Sequence, residues 1–249
     1  LPHASTRRPV HSATGHGEQP KTKRTMVWSD ANGDGERQPD ECSGADGELR
    51  FSGWYMNMTP DLTLYAGDKQ FKPTGFTACG APQYDLAKPV KMPIAGLGSA
   101  DGTRVLAIGD YGVTMGWNSC FDIATGKKLW TYPDNFVGVH GSHLACPPEV
   151  GMIRGSFGPC GAATLPPPVG NIWIIASNVG EWHIINGDGF YLTRLFQGDP
   201  MKVAFPETAV PGAILDNVPP GMGGEDFGGS ICFAKDGKLY LQAGKTGFW

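Results

Sequence analysis

An all-β fold follows from three features of the 249-residue sequence. It holds 37 glycines and 21 prolines, a load of chain-breakers that favours turns over long helices. Its apolar runs are short and rich in Val, Ile, Trp, Tyr and Phe, which fit a pleated, half-buried surface. Strand-like runs also recur around Asp-Gly and Asn-Gly pairs, the rhythm of hairpins. The length suffices for one large or two small domains with a sizeable core. A formal net charge of −4 gives no electrostatic footprint for nucleic acid, and no run of eighteen apolar residues exists to span a membrane.

Taken in order, residues 1–25 are polar, with Arg7, Arg8, Lys21, Lys23 and Arg24 against Glu18 alone, and read as a disordered tail or linker. Residues 26–95 read as a small β region. It opens on a short strand at 25–28, followed after Ser29 by the twelve residues DANGDGERQPDE. Oxygen-bearing side chains stand at positions 1, 3, 5, 9 and 12 (Asp30, Asn32, Asp34, Gln38, Glu41), Gly35 holds position 6, and Glu36 completes the candidate ligands. This is a full match to D-x-[DN]-x-[DN]-G-x5-E and resembles an EF-hand-type calcium loop over these twelve residues. Calcium is a hard cation taking six to eight oxygens, so alternate short side chains wrap one hemisphere and a terminal bidentate Glu closes the other.

The flanks depart from that family. A strand precedes the loop in place of a helix, and 42–47 is too rich in glycine to propagate one. Arg37 also fills position 8, where paired loops carry an apolar residue. The expectation is a solitary calcium loop on a β scaffold, a clamp and not a sensor. The alternative is an Asp/Asn/Gly turn that binds nothing. Asp30, Asp34, Glu36, Asp40, Glu41, Asp46 and Glu48 face Arg37 alone, a crowding that a cation relieves and that the basic tail would relieve too.

Further strands are expected at 48–54 and 61–65, with an ordered loop at 80–86. From Gly96 a strand-turn habit sets in: strands at 103–109, 111–117 and 119–123, a turn at 124–126, and a return at 127–132. A second group runs 171–177, 180–185 and 190–196 around the strong turn Asn186-Gly187-Asp188-Gly189, and a third begins at 230–234 and 238–243. Aligning Val105, Trp173 and Leu239 gives spacings of 68 and 66 residues, longer than the roughly 40 to 50 of compact propeller blades, so long loops must intervene.

The stretch Cys120-Phe121-Asp122-Ile123-Ala124-Thr125-Gly126-Lys127-Lys128-Leu129-Trp130 resembles the repeat of quinoprotein-type (PQQ-like) β-propellers, Ala-x-Asp-x-x-Thr-Gly-x-x-x-Trp. Asp122, Thr125, Gly126 and Trp130 match and Cys120 replaces the Ala. The resemblance implies that Asp and Thr-Gly shape a hairpin and the Trp packs between blades, none of them binding quinone. Residues 96–249 are therefore expected to form an incomplete β-propeller-like domain. No signal peptide is visible, which suits either a mature product or an excised piece; with a strand starting at 245–249 and fewer blades than the four to eight that close a propeller, the chain reads as part of a longer protein, similar to large secreted bacterial proteins without assigned activity.

Other chemistry is thinner. His140, His143 and Cys146 carry donors suited to zinc or copper, with His183 or Cys160 as a conceivable fourth ligand. Their alternative is a loop with backbone-bonded histidines and a Cys146–Cys160 disulfide. Six cysteines (42, 79, 120, 146, 160, 232) form no CxxC pair; an even count suits disulfides, whereas Cys120 and Cys232 lie in strand-like runs as buried thiols would. Glu181 and His183 share one strand face opposite Trp182, a candidate base or a plain polar contact. Asp226-Phe227-Gly228 stands without the rest of the kinase pattern. The seven tryptophans suit core packing or sugar stacking. Together these point to a calcium-stabilised extracellular or periplasmic module that binds a protein or glycan partner. The rival is a metal-dependent or quinoprotein-like oxidoreductase centred on His140, His143 and Cys146.

Overall fold

The computed structural model describes residues 24–47, 49–51, 57–107, 117–133, 151, 153, 156–177, 182–195, 229–243 and 246–248. These residues are all-β, in several small antiparallel sheets. Strands β1 (Arg24–Trp28) and β2 (Cys42–Asp46) form a hairpin around the 30–41 loop. Strands β3 (Leu64–Ala66), β4 (Lys69–Phe71) and β7 (Val90–Lys91) make a three-stranded sheet, into which the short hairpin β5 (Gly75–Phe76) and β6 (Pro82–Gln83) is inserted. No helix among the described residues is long and apolar enough to cross a membrane.

Two four-stranded meanders follow. The first is β8 (Gly96–Gly98), β9 (Arg104–Ala107), β10 (Trp117–Asp122) and β11 (Lys128–Pro133). The second is β12 (Ser156–Leu165), β13 (Gly170–Ser177), β14 (Trp182–Asn186) and β15 (Tyr191–Leu195). A three-stranded sheet of β16 (Gly229–Phe233), β17 (Leu239–Ala243) and β18 (Thr246–Phe248) completes the series. The first strands of successive sheets touch, β3 against β8, β8 against β12 and β12 against β16, which is the partial, blade-like stacking of a propeller. Val105, Trp173 and Leu239 all fall on second strands, so their spacing measures one sheet to the next.

Strands β13 and β14 of the second meander are buried on both faces from Ile172 to Ala176 and from Trp182 to Asn186, which explains their apolar runs. Alternate residues of β13 enter two different cores. Ile172, Ile174 and Ala176 pack with Ile231 and Leu241 of the following sheet. Trp173 and Ile175 pack with Leu97, Val105 and Leu106 of the preceding one. A third core lies under the N-terminal hairpin, where Val27 and Ala45 lean on Ala66, Phe71, Tyr84 and Leu86. Tyr84 and Leu86 thereby anchor the 80–86 loop.

Strands β8 and β12 were not expected, because glycine and proline normally weaken a strand. Their small residues answer to close approach between sheets. A Cβ on Gly98 would lie 2.1 Å from Tyr65 Oη, and one on Gly161 would lie 2.3 Å from Ile231 Cγ1. The expected strand at 61–65 begins later, at Leu64, because 59–63 forms a turn. Of the expected 48–54 strand, 49–51 are not in a strand and the rest lie outside the described residues. The pieces at 111–117 and 119–123 resolve into one strand starting at Trp117, with 111–116 outside the described residues.

The 59–63 turn recurs. Asp61 Oδ1 accepts from Thr59 Oγ1 (2.6 Å) and from the Thr63 N–H (3.1 Å); Asp101 Oδ1 accepts from Ser99 Oγ (2.6 Å) and from the Thr103 N–H (3.1 Å). The next residue is left-handed in both, Leu62 at φ 65° and Gly102 at φ 71°. Asp236 and Gly237 (φ 80°) repeat the arrangement between β16 and β17, with Asp236 Oδ1 accepting from the Lys238 N–H at 3.0 Å. An Asp that ties back the N–H two residues on thus recurs at three reversals of this chain, leading into β3, between β8 and β9, and between β16 and β17.

Candidate metal centre

The 30–41 loop is shaped by its own acidic side chains. Asp30 accepts from the Gly33 N–H (2.6 Å) through Oδ1 and from the Gly35 N–H (3.0 Å) through Oδ2. Asn32 Oδ1 accepts from the Asp34 N–H (3.0 Å), and Asp34 Oδ1 from the Glu36 N–H (2.7 Å). Such contacts need a backbone that curls through left-handed residues, supplied by Gly33 (φ 82°) and Gly35 (φ 74°). The loop closes on a single 3-10 turn, Pro39–Glu41, with the Ser29 N–H donating to Glu41 O at 3.1 Å.

Five of the six predicted calcium ligands are brought into one linked set. The amides of Asn32 (2.9 Å) and Gln38 (2.7 Å) both donate to Asp34 Oδ2. Glu41 Oε1 accepts from the Ala31 N–H (2.7 Å), and Glu41 Oε2 from the Gln38 N–H (3.3 Å) and the Trp28 indole (2.8 Å). Asp30 joins through Gly33 and Gly35, the residues that flank Asp34. The sixth, Glu36, has an exposed side chain and enters through its main chain. The Glu36 N–H, then Asn32, holds the Asp34 carboxyl below its ordinary value, and the Trp28 indole, then the Ala31 N–H, does so for Glu41.

Among the described residues no three acidic, histidine or cysteine side chains stand together as a ready-made metal cage. The loop carboxylates are instead engaged by N–H groups. Two features make the donor set fit a hard cation. Gln38 Oε1 is shielded from solvent and accepts no hydrogen bond among the described residues. The Gln38 amide converging on Asp34 Oδ2 also places positive hydrogens beside the carboxylates; half a turn of it exchanges nitrogen for oxygen with almost no change of shape, whereas Asn32 Oδ1 is held in place by the Asp34 N–H. Asp30, Asp34 and Glu41, the two amide oxygens and the Glu36 carbonyl would then offer oxygen alone, the chemistry calcium selects.

Three contacts were not legible from the loop motif. Cys79 Sγ donates to Asp30 O (2.9 Å) from 49 residues away, and Ser29 Oγ donates to Pro82 O (2.7 Å), so the loop rests on the β5–β6 hairpin. Trp28, one residue before Ser29, reaches across the hairpin to Glu41. Only Trp28 carried a sequence signal, since it stands on the strand that must pair beside the loop's end.

The second predicted centre, His140, His143 and Cys146, lies outside the described residues, as do Glu181, Glu225 and Asp226. Its conceivable fourth ligands are in the sheets. Cys160 is buried in β12 with Sγ donating to Ile174 O at 3.4 Å, and its thiol is pushed up by burial. His183 is buried in β14 with Nδ1 3.1 Å from Tyr191 Oη. Cys42, Cys79, Cys120, Cys160 and Cys232 are free thiols; Cys120 is buried, whereas Cys232 is exposed in spite of its strand. The Cys120 thiol is pushed up to about 12 by burial and is inert accordingly.

The hairpin that resembles a quinoprotein repeat is built from Asp122, whose Oδ1 accepts from the Thr125 N–H and hydroxyl (2.7 Å each), with Gly126 at φ 72°. Trp130 leaves that hairpin to donate from Nε1 to Gly187 O (2.8 Å) in the next sheet, edge-on to Trp173 at 6.3 Å. Trp173 and Trp182 are fully buried and so unavailable for sugar stacking, whereas Trp28 and Trp130 are partly buried and hydrogen-bonded through their indole N–H. A scan against protein-family models finds no match, and a search of curated proteins finds none.

Proposed function

We propose that the chain is a calcium-stabilised extracytoplasmic interaction module. In this reading the ion draws Asp30, Asn32, Asp34, Gln38 and Glu41 together and clamps the β1–β2 hairpin to the first sheet. A protein or glycan partner would then meet the loops joining the blade-like sheets, since binding residues collect on loops held by a rigid scaffold. The carrying observation is the loop itself. It is a full twelve-residue oxygen-donor pattern, folded over left-handed Gly33 and Gly35, with Gln38 Oε1 unpartnered among the described residues.

Calorimetric titration of the full chain with calcium, paired with melting in calcium and in chelator, tests this. Calcium should release or absorb heat at one site and raise the melting temperature, and Glu41→Gln should remove both effects. No heat and an unmoved melting temperature in the unaltered protein would overturn the assignment.

A further inference from the structure

The first sheet, like the second meander, is covered on both faces. Along β3, Tyr65 enters the core it shares with Leu97 and Val105 of the next sheet, whereas Leu64 and Ala66 join Phe71 in a separate core on the opposite side. Strand β13 shows the same alternation, with one face on the preceding sheet and the other on the following one. Both covers of β13 are blade-like sheets. One cover of β3 is a blade-like sheet, and the other is the β1–β2 hairpin.

The hairpin is shaped for that place. Its inward face carries Val27 and Ala45, which lean on Ala66, Phe71, Tyr84 and Leu86, whereas Met26 on the other face is 49% exposed. Strands β1 and β2 pair only with each other among the described residues, so the hairpin lies against the face of the first sheet and does not lengthen its edge. Its polar ties run to the β5–β6 insert: Ser29 Oγ donates to Pro82 O (2.7 Å), and Cys79 Sγ donates to Asp30 O (2.9 Å). An isolated two-stranded hairpin is marginal in water, so this one owes its stability to the face it covers. It shares no strand ladder with that face, and so it can leave without breaking one.

We propose that the β1–β2 hairpin is an end cap that stands where a preceding blade would stand. It seals the apolar outer face of the first sheet, so a ring of sheets cannot close through that face, and it opens as a unit while the sheets behind it stay folded. Stacked repeats need such covers because a terminal unit otherwise presents its apolar face to water. The cap requires no bound metal and stands apart from the calcium reading of its loop. Hydrogen exchange on the full chain in low urea reads it directly. The Ser29 amide, bonded to Glu41 O, and the Leu49 amide, bonded to Thr25 Oγ1, should exchange together. They should do so about tenfold or more faster than the Asn186 and Gly187 amides of the second meander, which donate to Phe190 O and Asn171 O.

A pair of variants on opposite faces of β1 sharpens the test. Val27→Asp drives a charge under the cap. It should unprotect Ser29 and Leu49, leave Asn186 and Gly187 protected, and raise the fluorescence of anilinonaphthalene sulfonate severalfold as the first sheet is uncovered. Met26→Asp, on the outward face of the same strand, should leave exchange and dye binding as they are in the unaltered chain. Loss of Asn186 and Gly187 protection together with Ser29, in Val27→Asp or in the unaltered chain, would make the hairpin inseparable from the core and overturn the inference. An open hairpin with no rise in dye fluorescence would overturn it too, as would a Val27→Asp chain in which Ser29 stays protected.

Discussion

The 30–41 hairpin and the β12–β15 sheet are made of similar material, short strands joined by Asp, Asn and Gly, yet they are held in opposite ways. In the hairpin, side-chain oxygens bind nearby N–H groups at the surface, so shape follows charge. In the sheet, Ile172, Trp173, Ile174, Ile175 and Ile185 are fully buried, so shape follows volume. Asp-rich turns therefore do two jobs here. Where the strands beyond them are sandwiched, the turn only reverses the chain; where the strands are half-exposed, the turn is the structure. A change of volume should cripple the sheet and spare the hairpin, and a change of charge should do the reverse.

The largest effect is expected from Trp173→Ala. The side chain is fully buried, and its Nε1 donates to Leu97 O (3.2 Å) and Gly98 O (3.3 Å), joining the second meander to the first. Removing it should destabilise the protein by about 3–5 kcal/mol in urea denaturation. Calcium heat at the 30–41 loop, measured below the unfolding midpoint, should be unaltered. A loss under about 1 kcal/mol would mean that burial is not what holds the sheets together.

A middle-sized effect sits where the two meanders are latched. The buried carbonyl of Gly187 accepts from both Trp130 Nε1 and Arg104 Nη1, and Arg104 also reaches Asp188 Oδ1 at 3.0 Å. The exposed ion pair adds little by itself. Trp130→Phe or Arg104→Met alone should cost about 1 kcal/mol, since the other donor still covers the carbonyl. Together they should cost more than the sum, by about 1 kcal/mol, because Gly187 O then loses both donors. Strict additivity in this double-mutant cycle would show that the donors do not share their acceptor.

How much of this was legible follows from the same contrast. The hairpin is local in sequence, so its Gly35 turn and the strand before it could be read directly, whereas β2 could not, because Cys42-Ser43-Gly44-Ala45-Asp46 carries no strand-like apolar pattern. The second meander was half legible. The isoleucine-rich β13 and the Asn186 to Gly189 turn announce themselves, but β12 hides behind Gly158, Pro159 and Gly161, because the force that makes it a strand is the nearness of Ile231, 70 residues on. Leu62 hid the first turn in the same way. Its left-handed backbone normally asks for glycine, and only comparison with Gly102 and Gly237 shows 59–63 as a repeat. Cys79 on Asp30 carried no signal at all, since nothing local to either residue predicts the other.

The smallest effect is the most specific to the comparison, and it is a difference in acid sensitivity between two Asp-built turns. Asp34 and Glu41 have folded pKa values below their ordinary ones, for which the Glu36 N–H and the Trp28 indole are the leading causes. A carboxyl depressed on folding contributes stability in full above its unfolded value, about 4. That contribution disappears as pH falls through the folded value. Asp101 is the counterpart in the first meander. Burial alone would raise its pKa, but the Ser99 hydroxyl, Asn171 and Thr103 outweigh it and bring the group down to about 2. On lowering the pH from 6 without calcium, the Ala31 and Glu36 amides should lose hydrogen-exchange protection first, as the pH falls below the ordinary carboxylate range. The Thr103 amide should hold until near pH 2. Because the hairpin carboxylates are exposed, the global melting temperature should barely move over the first step. If instead Thr103 and Glu36 open together, the hairpin is not an independent, charge-held unit.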